Sequence, residues 1–242
     1  MVISILLSHL FGDYIFQWDS LSRWKSQSLA GVLVHGGIVL AVTWLFSLPF
    51  DNNWWPWVLF IGLAHTIIDG VELPLRKRMA TSNSGVKAVS FFVVDQVIHL
   101  SFIAFALVQS GYLELPSLSA DILAALTDNR VLTFFLGYAF LTMPAWILVE
   151  FLVYGLIKGT APDFSQAVKN KYISILERGL IATFVLLGQF ILVPLVTAPR
   201  IMMEWNQNIR NQNDNLQDRV FVAELLASVS LAVIIGLGLR QI

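Results

Sequence analysis

The chain has 242 residues, of which 57% are hydrophobic and only 13% are charged, and its mean hydropathy is +0.72. A soluble domain carries about 25% charged residues, so this composition excludes one and predicts an integral membrane protein. The net charge of −1 predicts no nucleic-acid partner. Without cysteine, the chain has no thiolate to bind a metal or act as a nucleophile.

Long apolar runs predict an all-α polytopic membrane helix bundle, since the alternating pattern of a β-barrel is absent. The predicted spans, about seven, are residues 2–18, 29–49, 55–71, 88–109, 132–157, 174–197 and 220–239. The first run lacks a basic n-region and is interrupted by Asp13, so a retained helix is predicted rather than a cleaved signal. Six or eight spans remain alternatives.

The spans fall into two predicted halves. Residues 1–109 would form a four-helix membrane half, and residues 110–242 a second half of about three helices with a polar loop at 198–219. Lysine and arginine concentrate in the first, third and fifth loops. This predicts an inner-membrane protein with its N-terminus outside and its C-terminus in the cytoplasm. The sixth loop, 198–219, carries three arginines and is predicted to lie outside or along the membrane surface. Its polar stretch, 206–218, is predicted to be either a surface-lying helix or a mobile loop.

Histidine and aspartate recur four residues apart in the predicted helices. The pairs are His9 with Asp13, His65 with Asp69, and Asp95 with His99. Residues four apart share one face of a helix. The third pair has the opposite order on a helix that runs in the opposite direction. Every Asp would therefore lie nearer the basic loops, with every His about one turn, roughly 6 Å, deeper. The orientation predicts a single intramembrane site.

All four histidines lie in the first four predicted spans, one in each, and His35 has no Asp of its own. Three interpretations remain open: a divalent-metal site for Zn, Fe or Mn, a His–Asp network that moves protons or ions, and structural pairs that join helices. The metal interpretation predicts a set of ligands that combines imidazole and carboxylate groups. These are His9, Asp13, His35, His65, Asp69 and His99.

Further polar residues flank this predicted site. Gln17, Lys25 and Gln96 are candidate substrate-binding residues on its cytoplasmic side, although snorkelling to the interface is the alternative for Lys25. Asp95 is the candidate general base. In the second half, Glu224 is predicted to pair with Arg200.

The leading functional hypothesis is metal-dependent hydrolysis of a membrane-embedded or lipid-linked substrate, with membrane lipid as the partner. An ion or proton transporter that uses the same residues is one alternative. A non-catalytic membrane partner or sensor is another.

The same residues carry a resemblance to a known family. The stretch from His9 through Asp13 to Gln17, the His-x-x-x-Asp motif at 65–69 and the Asp-Gln-x-x-His motif at 95–99 resemble bacterial membrane proteins of the domain of unknown function 3307. The second half is similar to longer members of that family at residues 175–178, Gln189, Arg200, residues 223–224 and Ser228. The chain departs from the family pattern after Asp69 and near Arg200, where the family would have Lys. The resemblance implies membrane embedding but no activity.

Overall fold

The computed structural model describes residues 1–80, 84–162, 164, 171–210 and 215–242. Over these ranges the chain is helical without any strand, which confirms the all-α prediction. The α-helices described are, in chain order, α1 Val2–Leu10, α2 Asp19–Gln27, α3 Leu29–Ser47, α4 Trp55–Ala80, α5 Gly85–Gln109, α6 Leu118–Asp128, α7 Arg130–Leu141, α8 Met143–Val153, α9 Lys171–Leu186, α10 Val193–Arg210 and α11 Asn215–Arg240. Two π-helical turns, Phe11–Ile15 and Tyr154–Lys158, follow α1 and α8, and a 3₁₀ turn, Phe190–Leu192, precedes α10.

Four described helices are long and apolar enough to cross a bilayer, and the helices α7 and α8 add a fifth if they form one bent span. The four segments are Leu29–Ser47, Trp55–Arg78, Gly85–Gln109 and Asp218–Arg240. These helices indicate a membrane protein. The prediction of seven transmembrane helices is not confirmed.

Local sequence explains where the predicted spans and the structure differ. Val2–Ile15 is among the shorter apolar helices, below the length of about 20 residues that a crossing requires. Pro144 stands in the first turn of α8, where its missing N–H and its ring prevent a continuous α7–α8 helix. In the predicted span 174–197, Gly188 adopts a φ of 74°, a left-handed conformation that terminates the helix.

Most of the predicted polar loop at 198–219 is helical. Helix α10 continues to Arg210 and α11 begins at Asn215, while residues 211–214 lie outside the described residues. The polar side chains that suggested a loop are compatible with helix, because Asn and Gln are only mildly unfavourable in helical positions.

Two compact units divide the described chain. The N-terminal unit comprises Met1–Ser82 and Phe91–Ala139, and the C-terminal unit comprises Asn83–Ser90 and Phe140–Ile242. The core of the N-terminal unit combines side chains of α1, α4 and α5 with the loops beside them. Its buried members are Val2, Ile5, Trp54, Val58, Ile61, Ile103, Ala106, Leu107 and Leu113.

Glycines let α2, α3 and α4 approach closely in the N-terminal unit. A Cβ at Gly36 of α3 would overlap the hydroxyl oxygen of Thr66 on α4, and a Cβ at Gly31 would lie 2.5 Å from the backbone of Trp24 on α2. Small residues at helix interfaces permit this close backbone packing. Ser28 ends α2 in an extended conformation and caps α3 by accepting the N–H of Gly31 at 3.1 Å. These contacts hold α2 across the start of α3.

The core of the C-terminal unit lies between α9 and α11. Its buried members are Leu141, Ile181, Ala182, Val185 and Ala232. A Cβ at Gly236 would lie 2.9 Å from the carbonyl oxygen of Ala182, so this helix pair also packs through a small residue.

Candidate metal centre

All four histidines lie together inside the N-terminal unit. The ring centroids of His65 and His99 are 4.3 Å apart, and those of His35 and His65 are 5.0 Å apart. The His9 ring lies 6.4 Å from His65 and 6.0 Å from His99. Each of these side chains is at least 95% buried, His35 completely. The structure therefore brings the histidines of α1, α3, α4 and α5 into one layer.

Four of the predicted ligand residues place their ligand atoms close together, with the two carboxylates beside the His35–His65 pair. His35 Nε2 lies 3.0 Å from His65 Nε2, 3.1 Å from Asp13 Oδ1 and 3.7 Å from Asp69 Oδ2. His65 Nε2 lies 3.7 Å from Asp13 Oδ1 and 3.2 Å from Asp69 Oδ2. We call these four residues the ligand tetrad.

Five of the six separations within the ligand tetrad are close to those of a tetrahedral metal site. Two sets of three residues at this site have ligand atoms that all lie within 4.8 Å of one another; they are Asp13, His35 and His65, and His65, Asp69 and His99. Ligand atoms about 2.0–2.2 Å from a tetrahedral ion are separated from one another by about 3.3–3.6 Å. The five separations above run from 3.0 to 3.7 Å around that range. Two imidazoles and two carboxylates suit Zn, Fe or Mn.

The π-helical turn after α1 explains how Asp13 reaches the tetrad. A π-helical turn widens the helix and rotates the side chains that follow it. Asp13 consequently points to His35 of α3, while His9 Nε2 lies 3.4 Å from Gln96 Oε1 of α5. The predicted pairing of His9 with Asp13 is therefore replaced by contacts to two other helices. The pairs on α4 and α5 do form within their helices, at 3.2 and 3.0 Å.

Lys25 of α2 inserts its ammonium between the two carboxylates of the tetrad. Its Nζ lies 2.8 Å from Asp69 Oδ2 and 3.6 Å from Asp13 Oδ1, and it donates a hydrogen bond to Gln17 Oε1 at 3.2 Å. The Lys25 side chain is only 6% exposed. This burial argues against the snorkelling alternative, in which the ammonium would reach the interface.

His99 is oriented by Asp95. His99 Nδ1 lies 2.9 Å from the backbone carbonyl oxygen of Asp95 and 3.0 Å from its Oδ1. Two acceptors beside Nδ1 require a proton there, so a neutral ring keeps its lone pair on Nε2. That Nε2 atom is buried and has no hydrogen-bond partner among the residues that the structure describes. An imidazole with one nitrogen held by a carboxylate and the other available is the usual arrangement of a metal ligand or a general base.

Asp95, the candidate general base, has several partners in the structure. Besides His99, it accepts hydrogen bonds from Arg76 Nη2 at 3.3 Å and Gln96 Nε2 at 3.2 Å. Gln96 also donates to Asp13 Oδ2 at 3.4 Å. Its amide therefore contacts three groups, the carboxylates of Asp95 and Asp13 and the His9 ring. The predicted substrate-binding role of Gln96 remains untested, as does that of Gln17.

Two residues of the cluster, Glu72 and Arg76, were not predicted from the sequence. Glu72 is 7% exposed and accepts hydrogen bonds from Arg76 Nη2 at 2.8 Å and Nε at 3.2 Å. Arg76 Nη2 also lies 3.6 Å from Asp69 Oδ1. The spacing in the sequence could have indicated them, because positions 65, 69, 72 and 76 lie on one face of a helix. In the predicted topology, Arg76 belongs to the basic third loop rather than to a span.

The cluster carries an excess of negative charge. In the part of the chain that the structure describes, four carboxylates are linked to two cations by ion pairs; they are Asp13, Asp69, Glu72 and Asp95 with Lys25 and Arg76. With neutral histidines, their formal charge is two negative units. Isolated charge is costly in a buried site, and one divalent cation would balance this excess.

A small cavity adjoins the histidine layer. It is about 10 Å³ in volume, and its lining includes His9, His65 and His99 with the hydroxyl groups of Ser8 and Thr43. This volume is close to the minimum of about 10–15 Å³ that holds one water molecule. Water can therefore be accommodated beside the imidazoles, with polar groups to bind it.

The C-terminal unit has a separate buried ionic network. Arg200 of α10 contacts Glu177 of α9 at 3.1 Å and Glu224 of α11 at 2.5 Å, which confirms the predicted pairing of Arg200 with Glu224. Arg178 donates to the carbonyl oxygens of Leu141 and Thr142 at 2.9 and 3.4 Å, where α7 ends before Pro144. These contacts satisfy carbonyl groups that the helix break leaves without an intrahelical donor.

Comparison with known proteins identifies similarity to one family. A family model described as "Protein of unknown function (DUF3307)" matches residues 1–124, which include every member of the ligand tetrad. No curated protein and no solved structure matches the chain.

Proposed function

The chain belongs to the DUF3307 family of proteins of unknown function, and we propose that it is a membrane-embedded, metal-dependent hydrolase. The ligand tetrad carries the proposal. Five of the six separations among its two imidazoles and two carboxylates are close to those of a tetrahedral metal site. With neutral histidines, the surrounding cluster has two excess negative charges, which one divalent ion would balance.

The residues around the tetrad supply what hydrolysis requires. A divalent ion bound there would act as a Lewis acid toward the bond to be cleaved. His99, oriented by Asp95, would accept the proton of the attacking water through Nε2. We therefore assign the general-base role to His99 and an orienting role to Asp95. The cavity beside His99 has room for one water molecule.

The location of the tetrad argues for a substrate from the membrane. Its residues lie on α3, α4 and the turn after α1, and α3 and α4 are candidate membrane spans. A soluble substrate would have to leave water to reach such a site, whereas an amphiphile already has its apolar part in the bilayer.

The metal content of the purified protein tests the proposal. The wild type, isolated in detergent without chelator, should contain about one equivalent of Zn, Fe or Mn by elemental mass spectrometry. His65→Gln should lose most of it, because a tetrahedral site tolerates the loss of a ligand poorly. His9→Gln is the matched control, since His9 is equally buried in the same layer but lies outside the tetrad. A metal-free, folded wild type would refute the proposal.

A further inference from the structure

Lys25 is the cation closest to the proposed metal position. Its Nζ lies 2.8 Å from Asp69 and 3.6 Å from Asp13, the two carboxylates of the ligand tetrad. The other cation, Arg76, contacts Glu72 and Asp95 at 2.8 and 3.3 Å and is held by them. Of the two cations of the cluster, Lys25 is therefore the one whose ion pairs are both with carboxylates of the tetrad.

A metal ion in the tetrad would compete with Lys25 for its counter-charge. Asp69 and Asp13 would then be shared between the divalent ion and the ammonium, which remains 5% exposed in the same place. One divalent ion balances the formal charge of the whole cluster, but the ion and the ammonium are like charges beside each other and repel. An anionic group that reaches Lys25 and the tetrad together would reduce this repulsion.

Gln17 provides a further donor beside Lys25. Its Oε1 accepts the hydrogen bond from Lys25 Nζ at 3.2 Å, so its amide N–H groups point elsewhere. The side chain is partly exposed, in contrast to Lys25. An ammonium and an amide donor side by side suit an anion that has several acceptor oxygens, as a phosphate has.

Helix α2, which carries Lys25, has exposed aromatic residues on its other side. Leu21 and Lys25, four residues apart, form its buried face, while Trp18 and Trp24 are 56% and 45% exposed. Phe16, just before the helix, is also exposed. Tryptophan is enriched at membrane interfaces, and an amphipathic helix with exposed aromatic residues typically lies in that plane.

We propose that the substrate is a phosphate monoester of a membrane amphiphile, whose phosphate is bound by Lys25 and Gln17 next to the metal. This inference rests on the proposed function and adds the substrate class. In the reaction, a water oxygen bonds to phosphorus and the phosphorus–oxygen ester bond breaks. The departing alcohol oxygen takes the proton that the water gives up. One water is consumed, one alcohol and one inorganic phosphate form, and no oxidant or reductant is needed.

Binding and turnover of phosphatidic acid test the inference. The full chain in phosphatidylcholine nanodiscs would receive phosphatidic acid, and bound lipid would be counted by native mass spectrometry and released inorganic phosphate by assay. Lys25→Gln should weaken phosphatidic acid binding and raise KM by about tenfold or more, the worth of one charge-assisted hydrogen bond. Its metal content should not fall, because Lys25 competes with the ion for the same carboxylates.

Arg23→Gln is the matched control, because Arg23 is an exposed cation on the same helix. It should leave binding and KM unchanged. Removal of metal by chelator should lower phosphatidic acid binding to the wild type, because Asp13 and Asp69 then form ion pairs with the Lys25 ammonium again. Equal binding by the wild type, Lys25→Gln and Arg23→Gln would overturn the inference.

The outcomes separate the inference from the proposed function. A wild type without metal refutes the proposed function itself. A metal-loaded wild type that neither retains phosphatidic acid nor releases phosphate refutes the substrate class alone. Glycerol phosphate serves as the water-soluble phosphate monoester for comparison. If it is cleaved as fast as phosphatidic acid, the substrate need not come from the membrane.

Discussion

His35 Nε2 and His65 Nε2 lie 3.0 Å apart between α3 and α4, and each has a tetrad carboxylate oxygen within 3.2 Å. Two neutral imidazoles at this distance can share only one proton. Two imidazoles that ligate one ion need none between them, and a separation of roughly 3.3 Å is then normal. The distance between the two imidazoles is therefore explained either by one shared proton or by a metal ion bound in the tetrad.

Metal loss should be non-additive across the tetrad. Asp13→Asn, His35→Gln and Asp69→Asn should each abolish most metal binding, so that double variants lose little more. Added Zn or Mn at about 100 times the dissociation constant should stabilise the wild type by about 2.7 kcal/mol. Thermal unfolding in detergent, with and without added metal, measures this. Additive losses of stability without any metal response would instead favour the structural interpretation.

Close packing of α3 on α4 should be required for metal binding. Gly36→Ala places a methyl group against the Thr66 hydroxyl, which donates to the carbonyl of Gly62 at 2.7 Å. The strain should shift His35 away from His65 and lower both metal content and thermal stability. Gly37→Ala is the control, because nothing lies within 4 Å of its Cβ position. There the substitution should be neutral or stabilising by up to about 1 kcal/mol. Identical behaviour of the two variants would exclude this role for Gly36.

Asp95→Asn should reduce hydrolysis without removing metal. The amide would disturb the proton on His99 Nδ1, which Asp95 fixes through its carboxylate and backbone oxygens. The loss of an orienting carboxylate typically costs about 10- to 100-fold when it acts on a metal ligand and more when it acts on a general base. The assay is kcat for phosphate release, measured together with metal content. If metal is lost along with activity, His99 is a ligand rather than the base.

The charge distribution of the loops predicts the orientation of α3. Ser22 lies beside Arg23 and Lys25 before this helix, and Asn52 follows it. Single cysteines at Ser22 and Asn52 in this cysteine-free chain should react with an impermeant maleimide from opposite sides of the membrane, with Ser22 cytoplasmic. Reaction of both from one side would show that α3 does not cross.

Part of the residue cluster could be predicted from the sequence, and part could not. The spacing of His65 and Asp69 is a local property of a helix, and so was predictable from sequence. The gathering of His35 with His65 depends on helix packing, which Gly36 permits but which periodicity does not reveal. The sequence also could not place Asp13, because the π-helical turn at Phe11–Ile15 redirects a residue that an ideal helix would pair with His9.

The predicted count of seven spans is not confirmed, for a related reason. Hydropathy averages over a window and passes over single residues that interrupt a helix. Pro144 and Gly188 each end a helix within an apolar run, the first by its ring and the second by a φ of 74°. Neither residue changes the mean hydropathy of its window appreciably. The long polar face of α4 was not predicted, because Glu72 and Arg76 lie beyond the predicted end of that span.

Arg200 should stabilise the C-terminal unit without affecting the metal centre. Arg200→Met leaves Glu177 and Glu224 without the guanidinium that now lies 3.1 and 2.5 Å from them. Loss of one partner from a buried ion pair typically costs about 3–5 kcal/mol, because a buried charge is left uncompensated. The triple variant with Glu177→Gln and Glu224→Gln removes that charge and should recover much of the stability. Chemical unfolding of the three proteins, with metal content measured in each, checks both points. A metal content that falls with Arg200→Met would show that the two units are functionally coupled.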